Sequence, residues 1–361
     1  MYGLGFHEGA ALFWSLHLAW ILLALATLRR PRAGDASHTV LIAARNEAPR
    51  IQETLDRLQD ERVIVAEGPS TDATRDIVAS SHAQLVPLAA VPPGWVGKSA
   101  ALHAAAPEAT GDWIVFLDAD VHVEPGGVAQ AIGAAQASDL SIVLPGQATD
   151  TIGGASAHFA VGQGLLIPTP PWVLRAGWGA TGVGHFMVAR RSIYDASGGH
   201  ASFRNAILDD VALGRAMRKA GGRLDMVDGG RLATSDWGRS YVGVARAMQK
   251  NAFAGLSYRW WMVALMSGGY AATLTAAWTG WWFGGTAAWA TWAWAAHAIP
   301  SLWQVAMRRG WHPRAGWRSW LGALLSPFGW TLYAWVPVWS MMSTWRRITW
   351  RGTQYDRKSM R

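Results

Sequence analysis

The stretch WIVFLDADVHVEP, residues 113–125, runs Trp-Ile-Val-Phe-Leu and then sets Asp118 and Asp120 one residue apart. Its apolar part has the length and the β-branched and aromatic content of a buried strand. On extended backbone, residues two apart point the same way, so both carboxylates share one face where the strand emerges. Only 16% of the chain is charged, which makes two acids at such a place informative. Paired carboxylates without thiol or imidazole company suit a hard cation that takes oxygen ligands and bridges to phosphates. The plain alternative is a solvated Asp-x-Asp turn.

Working outward from this strand, residues 38–44 (HTVLIAA) read as another strand. Residues 49–58 read as a helix with proline in its first turn, and residues 62–66 as a further strand. A helix-strand step follows over 71–88, and helices over 98–106 and 125–137 flank the opening stretch. Strands alternating with helices predict an α/β fold, a mostly parallel sheet with helices on both faces. Ligands of such sheets collect at the carboxyl ends of the strands. There the chain carries Ala44-Arg45-Asn46-Glu47 after the first strand, and Glu67 with Ser70-Thr71-Asp72 after the second. Gly97-Lys98 opens a helix, where free N–H groups, the helix dipole and an ammonium can meet an anion. Each cluster alone is ordinary turn or capping chemistry; together they read as a nucleotide-diphosphate site.

In chain order, Arg45-Asn46-Glu47, Ser70-Thr71-Asp72, Gly97-Lys98, Asp118-Ala119-Asp120 and ILDDVALGRAMRKAG (207–221) resemble the motifs of the family 2 glycosyltransferases, over about residues 38–230. PPGWVGK (92–98) with ITWRGTQY (348–355) is similar to membrane-bound members associated with hopanoid and carotenoid biosynthesis. The resemblance implies a GT-A-like fold and a nucleotide-sugar donor, UDP-linked, contacted by Ala44, Arg45, Asn46, Glu47, Glu67, Ser70, Lys98 and Asp118. It implies that Asp118 and Asp120 hold Mg or Mn, that Glu67 faces uracil or ribose, and that Asp210 is the catalytic base. Two departures stand out. Glu67-Gly68 replaces the usual pair of adjacent acids, and the acceptor-side Gln-x-x-Arg-Trp of polymer-making members is absent. ARAMQKNAF (245–253), with Gln249 and Lys250, occupies that place on the acceptor side. One sugar per acceptor is therefore expected.

Asp209 and Asp210 open a helical pattern, where acids also stabilise the helix dipole. Displacing a diphosphate with an alcohol needs one base and a metal, and direct displacement inverts the anomeric centre. His185, in a strand expected over 182–189, is either a donor facing the acceptor or a half-buried histidine. GWGATG (177–182) lacks the preceding strand and following helix of a dinucleotide fingerprint.

Composition adds a membrane expectation. The chain of 361 residues is 51% hydrophobic, has no cysteine, and places 17 of its 24 tryptophans after residue 259. Residues 9–28 carry no charge and are followed by Arg29, Arg30 and Arg32, as in a spanning anchor whose following residues are cytoplasmic. Residues 260–307 are uncharged over 48 positions, enough for two spans joined near Gly280 to Gly285, and 319–345 are uncharged but broken by Pro327 and Pro337. The expected organisation is a transmembrane anchor (1–30), a cytoplasmic catalytic domain (36–255), transmembrane or re-entrant helices (259–345) and a basic tail (346–361), in a bacterial inner membrane. A hairpin at the prolines would return that tail to the cytoplasm. The net charge of +8 fits anionic lipid heads; no nucleic-acid motif accompanies it. The expected partners are a nucleotide sugar, a lipid acceptor and the membrane. Other readings are a polysaccharide synthase, or a lipid carrier with an inactive transferase domain.

Overall fold

The computed structural model describes residues 6–279, 287–307, 316–344, 347–350 and 353–356. The turn expected at Gly280 to Gly285, Arg308, Arg309 and Arg314, and Arg346, Arg351, Arg357, Lys358 and Arg361 of the tail lie outside the described residues. In chain order the elements begin with α1 (Phe6–Thr27), β1 (His38–Ala44), α2 (Ala48–Asp56), β2 (Val63–Glu67), α3 (Thr74–Ala79), β3 (Gln84–Pro87), α4 (Gly97–Ala105) and β4 (Trp113–Asp118). Then come β5 (Val121–Val123), α5 (Gly127–Ala135), β6 (Leu140–Gln147), α6 (Ile152–Leu166), α7 (Pro171–Arg175), β7 (Phe186–Arg190), α8 (Arg191–Ala196), α9 (Asp209–Lys219) and β8 (Leu224–Ser235). The chain closes with α10 (Tyr241–Gly255), α11 (Trp260–Thr279), α12 (Ala287–Met307), α13 (Trp317–Leu324), α14 (Ser326–Thr344), β9 (Arg347–Trp350) and β10 (Thr353–Asp356).

These divide into two compact units. One comprises residues 28–146, 171–236 and 346–361; the other comprises residues 1–27, 147–170 and 237–345. The first unit is built on a sheet ordered β3-β2-β1-β4-β7-β6-β8-β5. β1, β2, β3 and β4 pair in parallel, as the alternation of strands and helices predicts. Val40, Ile42, Val65, Val115 and Leu117 from these strands meet Ile51 and Leu55 of α2 in one core. Half of the sheet departs from the mostly parallel expectation: β7 runs antiparallel to β4 and to β6, and β5 runs antiparallel to β8. A parallel neighbour requires a crossover that returns the chain to its starting end.

Arg29 and Arg32, read from sequence as the flank of a membrane anchor, are structural here. Arg29 Nη2 lies 2.6 Å from the carboxylate of Asp225, which Arg175 also holds at 3.0 Å. Asp225 is buried at 1% exposure, so these two guanidiniums supply the compensation a buried carboxylate needs. Arg32 Nε donates to Gly133 O at 2.7 Å.

The second unit is helical. α14 packs against α6, α10 and α11, and α1 packs against α12. No helix among the described residues is both long and apolar enough to cross a membrane, which corrects the expected spans at both ends. The helices have the length, with 22 residues in α1, 20 in α11, 21 in α12 and 19 in α14. Their apolar character is diluted by Trp, Gly, Ser, Thr and His, and part of that polarity faces inward. His297, Ser301 and Gln304 of α12 are buried, as are Ser326 and Ser340 of α14. The helix break expected at the prolines falls at Leu325, between α13 and α14, and Pro337 sits inside α14.

Candidate active site

The register of the parallel strands brings the first two loops together. Ala44 pairs with Glu67 and Ala43 with Asp118. Asn46 adopts a left-handed φ of 55°, a conformation asparagine tolerates better than most residues. From there its N–H donates to Ser70 Oγ at 3.1 Å, and its Oδ1 accepts the Thr71 N–H at 2.8 Å. Glu47 N–H donates to Thr74 Oγ1 at 2.8 Å. Asn46, Glu47 and Ser70 thus fasten one loop to the next.

Glu67 is turned inward at 1% exposure. Its Oε1 accepts the Ser70 N–H at 3.0 Å and its Oε2 pairs with Arg75 Nε at 3.0 Å. Both oxygens therefore hold the loop in shape. The stem of Arg45 lies beside Gly68, where a Cβ would make an ordinary contact of 3.5 Å with Arg45 Cβ.

The charged centre forms where the end of β4, the start of α4 and the start of α9 converge. Lys98 Nζ lies 2.5 Å from Asp118 Oδ1 and 3.6 Å from Asp209 Oδ2. Burial works against the ammonium, but Asp118, Asp209 and Asp210 outweigh it and raise its pKa above the usual lysine value. Asp210 Oδ2 accepts the Gly184 N–H at 2.9 Å, and its Oδ1 accepts its neighbour Val211 N–H at 2.8 Å. Burial, then the charge of Asp209, pushes the Asp210 carboxyl up to about 6, against the pull of Lys98 and the two N–H donors. Gly184 lets the backbone approach this centre closely. A Cβ there would sit 3.0 Å from Lys98 Nζ, 3.6 Å from Asp210 Oδ2 and 3.7 Å from Asp118 Oδ2.

Carboxylate oxygens suit a hard cation and an ammonium suits a phosphate, and both kinds of group are gathered here. Among the described residues no group of three or more His, Cys, Asp or Glu forms a metal cage. A cation such as Mg needs no such cage: it is held by one or two carboxylates and completed by substrate phosphates. Asp120, half-buried, follows two residues beyond Asp118, and its carbonyl accepts the Asp236 N–H at 3.0 Å.

His185 is buried at 5% exposure, and its carbonyl accepts the Asp118 N–H at 3.0 Å. It precedes β7, so the expected strand over 182–189 is a loop as far as residue 185. Gln249 and Lys250 lie on α10 in the helical unit, where Gln249 Nε2 donates to Ser343 Oγ. Sequence reasoning passed over Gly184 and Arg75. Arg75 gave no signal beyond a charge on a helix; the small residues just ahead of β7 were a signal for Gly184, since close backbone approach needs glycine.

The mixed sheet and its connectivity are those of a GT-A-like α/β fold. Residues 39–198 match the family described as Glycosyl transferase family 2. That stretch is a family 2 domain, and the protein is a glycosyltransferase. The fold is similar to glucosyl-3-phosphoglycerate synthase from Mycobacterium tuberculosis in complex with Mn2+, UDP and glucosyl-3-phosphoglycerate, at 18% identity, TM-score 0.41, covering 66% of this chain and 83% of that one. It is also similar to the mannosyltransferase PcManGT from Pyrobaculum calidifontis in complex with GDP-Man and Mn2+, at 19% identity, TM-score 0.47, covering 91% of this chain and 99% of that one. No protein of curated function matches the chain in sequence.

Proposed function

We propose that the protein moves a single sugar, with inversion, from a nucleoside-diphosphate sugar to the hydroxyl of a lipid at the cytoplasmic face of a bacterial inner membrane. The observation that carries this reading is the cluster of Lys98, Asp118, Asp209 and Asp210 beside Gly184. Asp210 takes the proton of the acceptor hydroxyl, and its raised pKa of about 6 suits a base working near neutrality. The acceptor oxygen bonds to the anomeric carbon as the bond from that carbon to the diphosphate oxygen breaks. The diphosphate leaves with the bonding pair, and Lys98 is placed to balance its charge. A divalent cation held by Asp118 and Asp120 would neutralise further charge on the same diphosphate. A UDP-sugar is the first donor to try. Ala44, Arg45, Asn46, Glu47, Glu67 and Ser70 contribute by shaping the pair of loops on the donor side.

The lipid acceptor and the membrane are supported by the helical unit. Leu12, Phe13, Leu16, Trp20 and Leu23 of α1 are exposed, as are Trp260, Trp261 and Leu265 of α11, Trp317 and Trp320 of α13, and Met342 of α14. Arg259 lies over the ring of Trp261 at 5.9 Å and Arg318 over Trp317 at 5.3 Å. Tryptophan with an adjacent cation is the chemistry of a headgroup boundary. Apolar surface of this extent facing water is unusual for a monomer. The test is transfer of a radiolabelled sugar into extracted membrane lipid, with the anomeric configuration of the product read by NMR. Label in a lipid with inverted configuration supports the reading; label only in water-soluble product, or retained configuration, overturns it.

A further inference from the structure

The helical unit contains a cavity of about 480 Å³ lined by none of the residues of the charged centre. It is bounded by Ile152 and Gly153 at the start of α6, Tyr241 at the start of α10, and Leu325, Phe328 and Thr331 at and after the junction of α13 and α14. Its volume is that of a small-molecule site, which runs from roughly 300 to 1,000 Å³. No charged side chain lines it.

The polar groups at its wall are already satisfied by one another. Tyr241 Oη and Thr331 Oγ1 are 2.6 Å apart, Thr331 Oγ1 donates to Phe328 O at 2.6 Å, and Trp335 Nε1 donates to Tyr241 Oη at 3.1 Å. Ser156 Oγ, also at the wall, donates to Leu325 O at 2.7 Å. An occupant is therefore offered contact area and little hydrogen bonding, which selects hydrocarbon over a sugar, nucleotide or peptide.

The wall is stiff because α13 and α14 press on α6 through glycines. A Cβ at Gly329 would lie 2.1 Å from Ser156 O, and one at Gly322 would lie 2.4 Å from Ala155 Cβ. Gly153, in contrast, leaves space: a Cβ there would make only an ordinary contact of 3.4 Å with Tyr241 Cβ. Beside the cavity Leu324, Phe328 and Trp335 are exposed at 46%, 43% and 40%. The opening thus carries the same apolar surface as the faces assigned above to lipid.

We infer that this cavity holds one hydrocarbon chain of a lipid. The inference rests on the lipid-directed reading above and names the chain as the acceptor's tail. The test uses the full chain in detergent with a long-chain alcohol bearing a terminal diazirine, followed by photolysis and peptide mass spectrometry. Adducts are expected at Ile152, Leu325 or Phe328, competed by unlabelled alcohol. Gly153→Leu, which fills the space, should lower them at least fivefold while adducts at Leu12 and Leu16 persist. If Gly153→Leu does not fold, Ile152→Trp at the half-buried rim serves in its place. Adducts confined to exposed helix faces, or adducts that neither substitution reduces, overturn the inference. Donor turnover on the same samples separates the two claims. Turnover with no competable adduct overturns the cavity alone, and competable adducts with no donor consumed overturn the transfer reading alone.

Discussion

Gly184 is the residue whose absence of a side chain matters most. Its substitution by Ala would set a methyl 3.0 Å from Lys98 Nζ and under 4 Å from the carboxylates of Asp118 and Asp210. Gly184→Ala is expected to leave thermal unfolding unchanged and to weaken donor binding at least tenfold, measured by titration calorimetry. Asp210→Asn keeps the shape and removes the base, so kcat should fall by about 10²–10⁴ with donor affinity retained. The pH dependence follows from burial of the same carboxyl. Asp210 must be ionised to act, so kcat/KM should decline as pH falls through about 6. The sign for stability is opposite. A carboxyl raised from 3.8 to about 6 binds its proton more tightly in the folded chain, so its contribution is full below 3.8 and is lost as pH rises through about 6. Lys98→Met would leave Asp118 and Asp209 facing each other without their cation. Both partners of the closer pair retain some exposure, 27% and 29%, so the expected cost is about 2 kcal/mol by urea denaturation, below the ~3–5 kcal/mol of a fully buried pair.

At the scale of elements, α9 is set against the loop before β7 by two glycine contacts. A Cβ at Gly214 would lie 2.1 Å from Thr181 O, and one at Gly182 would lie 2.0 Å from Asp210 O. Gly214→Ala must therefore move α9, and Asp209 and Asp210 with it. We expect a loss of about 1–3 kcal/mol in chemical denaturation, as for other overpacked contacts, together with a lower kcat. The elements legible in the sequence were those with strong local signals. β1, β2 and β4 are apolar runs that end in polar residues, and α2 has proline in its first turn with Ile51 and Leu55 facing the core. β8, reading LDMVDGGRLATS, hides its strand character behind two aspartates and two glycines. Asp225 can be buried there only because Arg29 and Arg175 reach it from far away in sequence. The antiparallel half of the sheet depends on such distant partners, and a local pattern does not carry them.

For the whole molecule, the convergence of Asp118, Lys98 and Asp210 was legible, since turn or capping chemistry accounts for each cluster singly but not for their recurrence at successive strand and helix ends. Gly184 was passed over, because a glycine signals close backbone approach without naming what approaches it. The tryptophans divide in the structure: Trp14 and Trp330 are buried in packing, while Trp260 and Trp317 are exposed. The length of an uncharged run overstated the helices as spans, because it counts a buried serine or histidine as it counts leucine. The apolar faces remain, and Trp317→Ser with Trp320→Ser is expected to reduce co-flotation with anionic vesicles at least threefold; unchanged flotation would remove α13 from the lipid contact. The most direct measurement is nucleotide release by the full chain offered UDP- and GDP-sugars with membrane lipid, with and without Mn or Mg, beside Asp120→Ala and Asp210→Asn. The account predicts metal-dependent release from one donor that both substitutions abolish. Release that persists without metal and in both variants would contradict it.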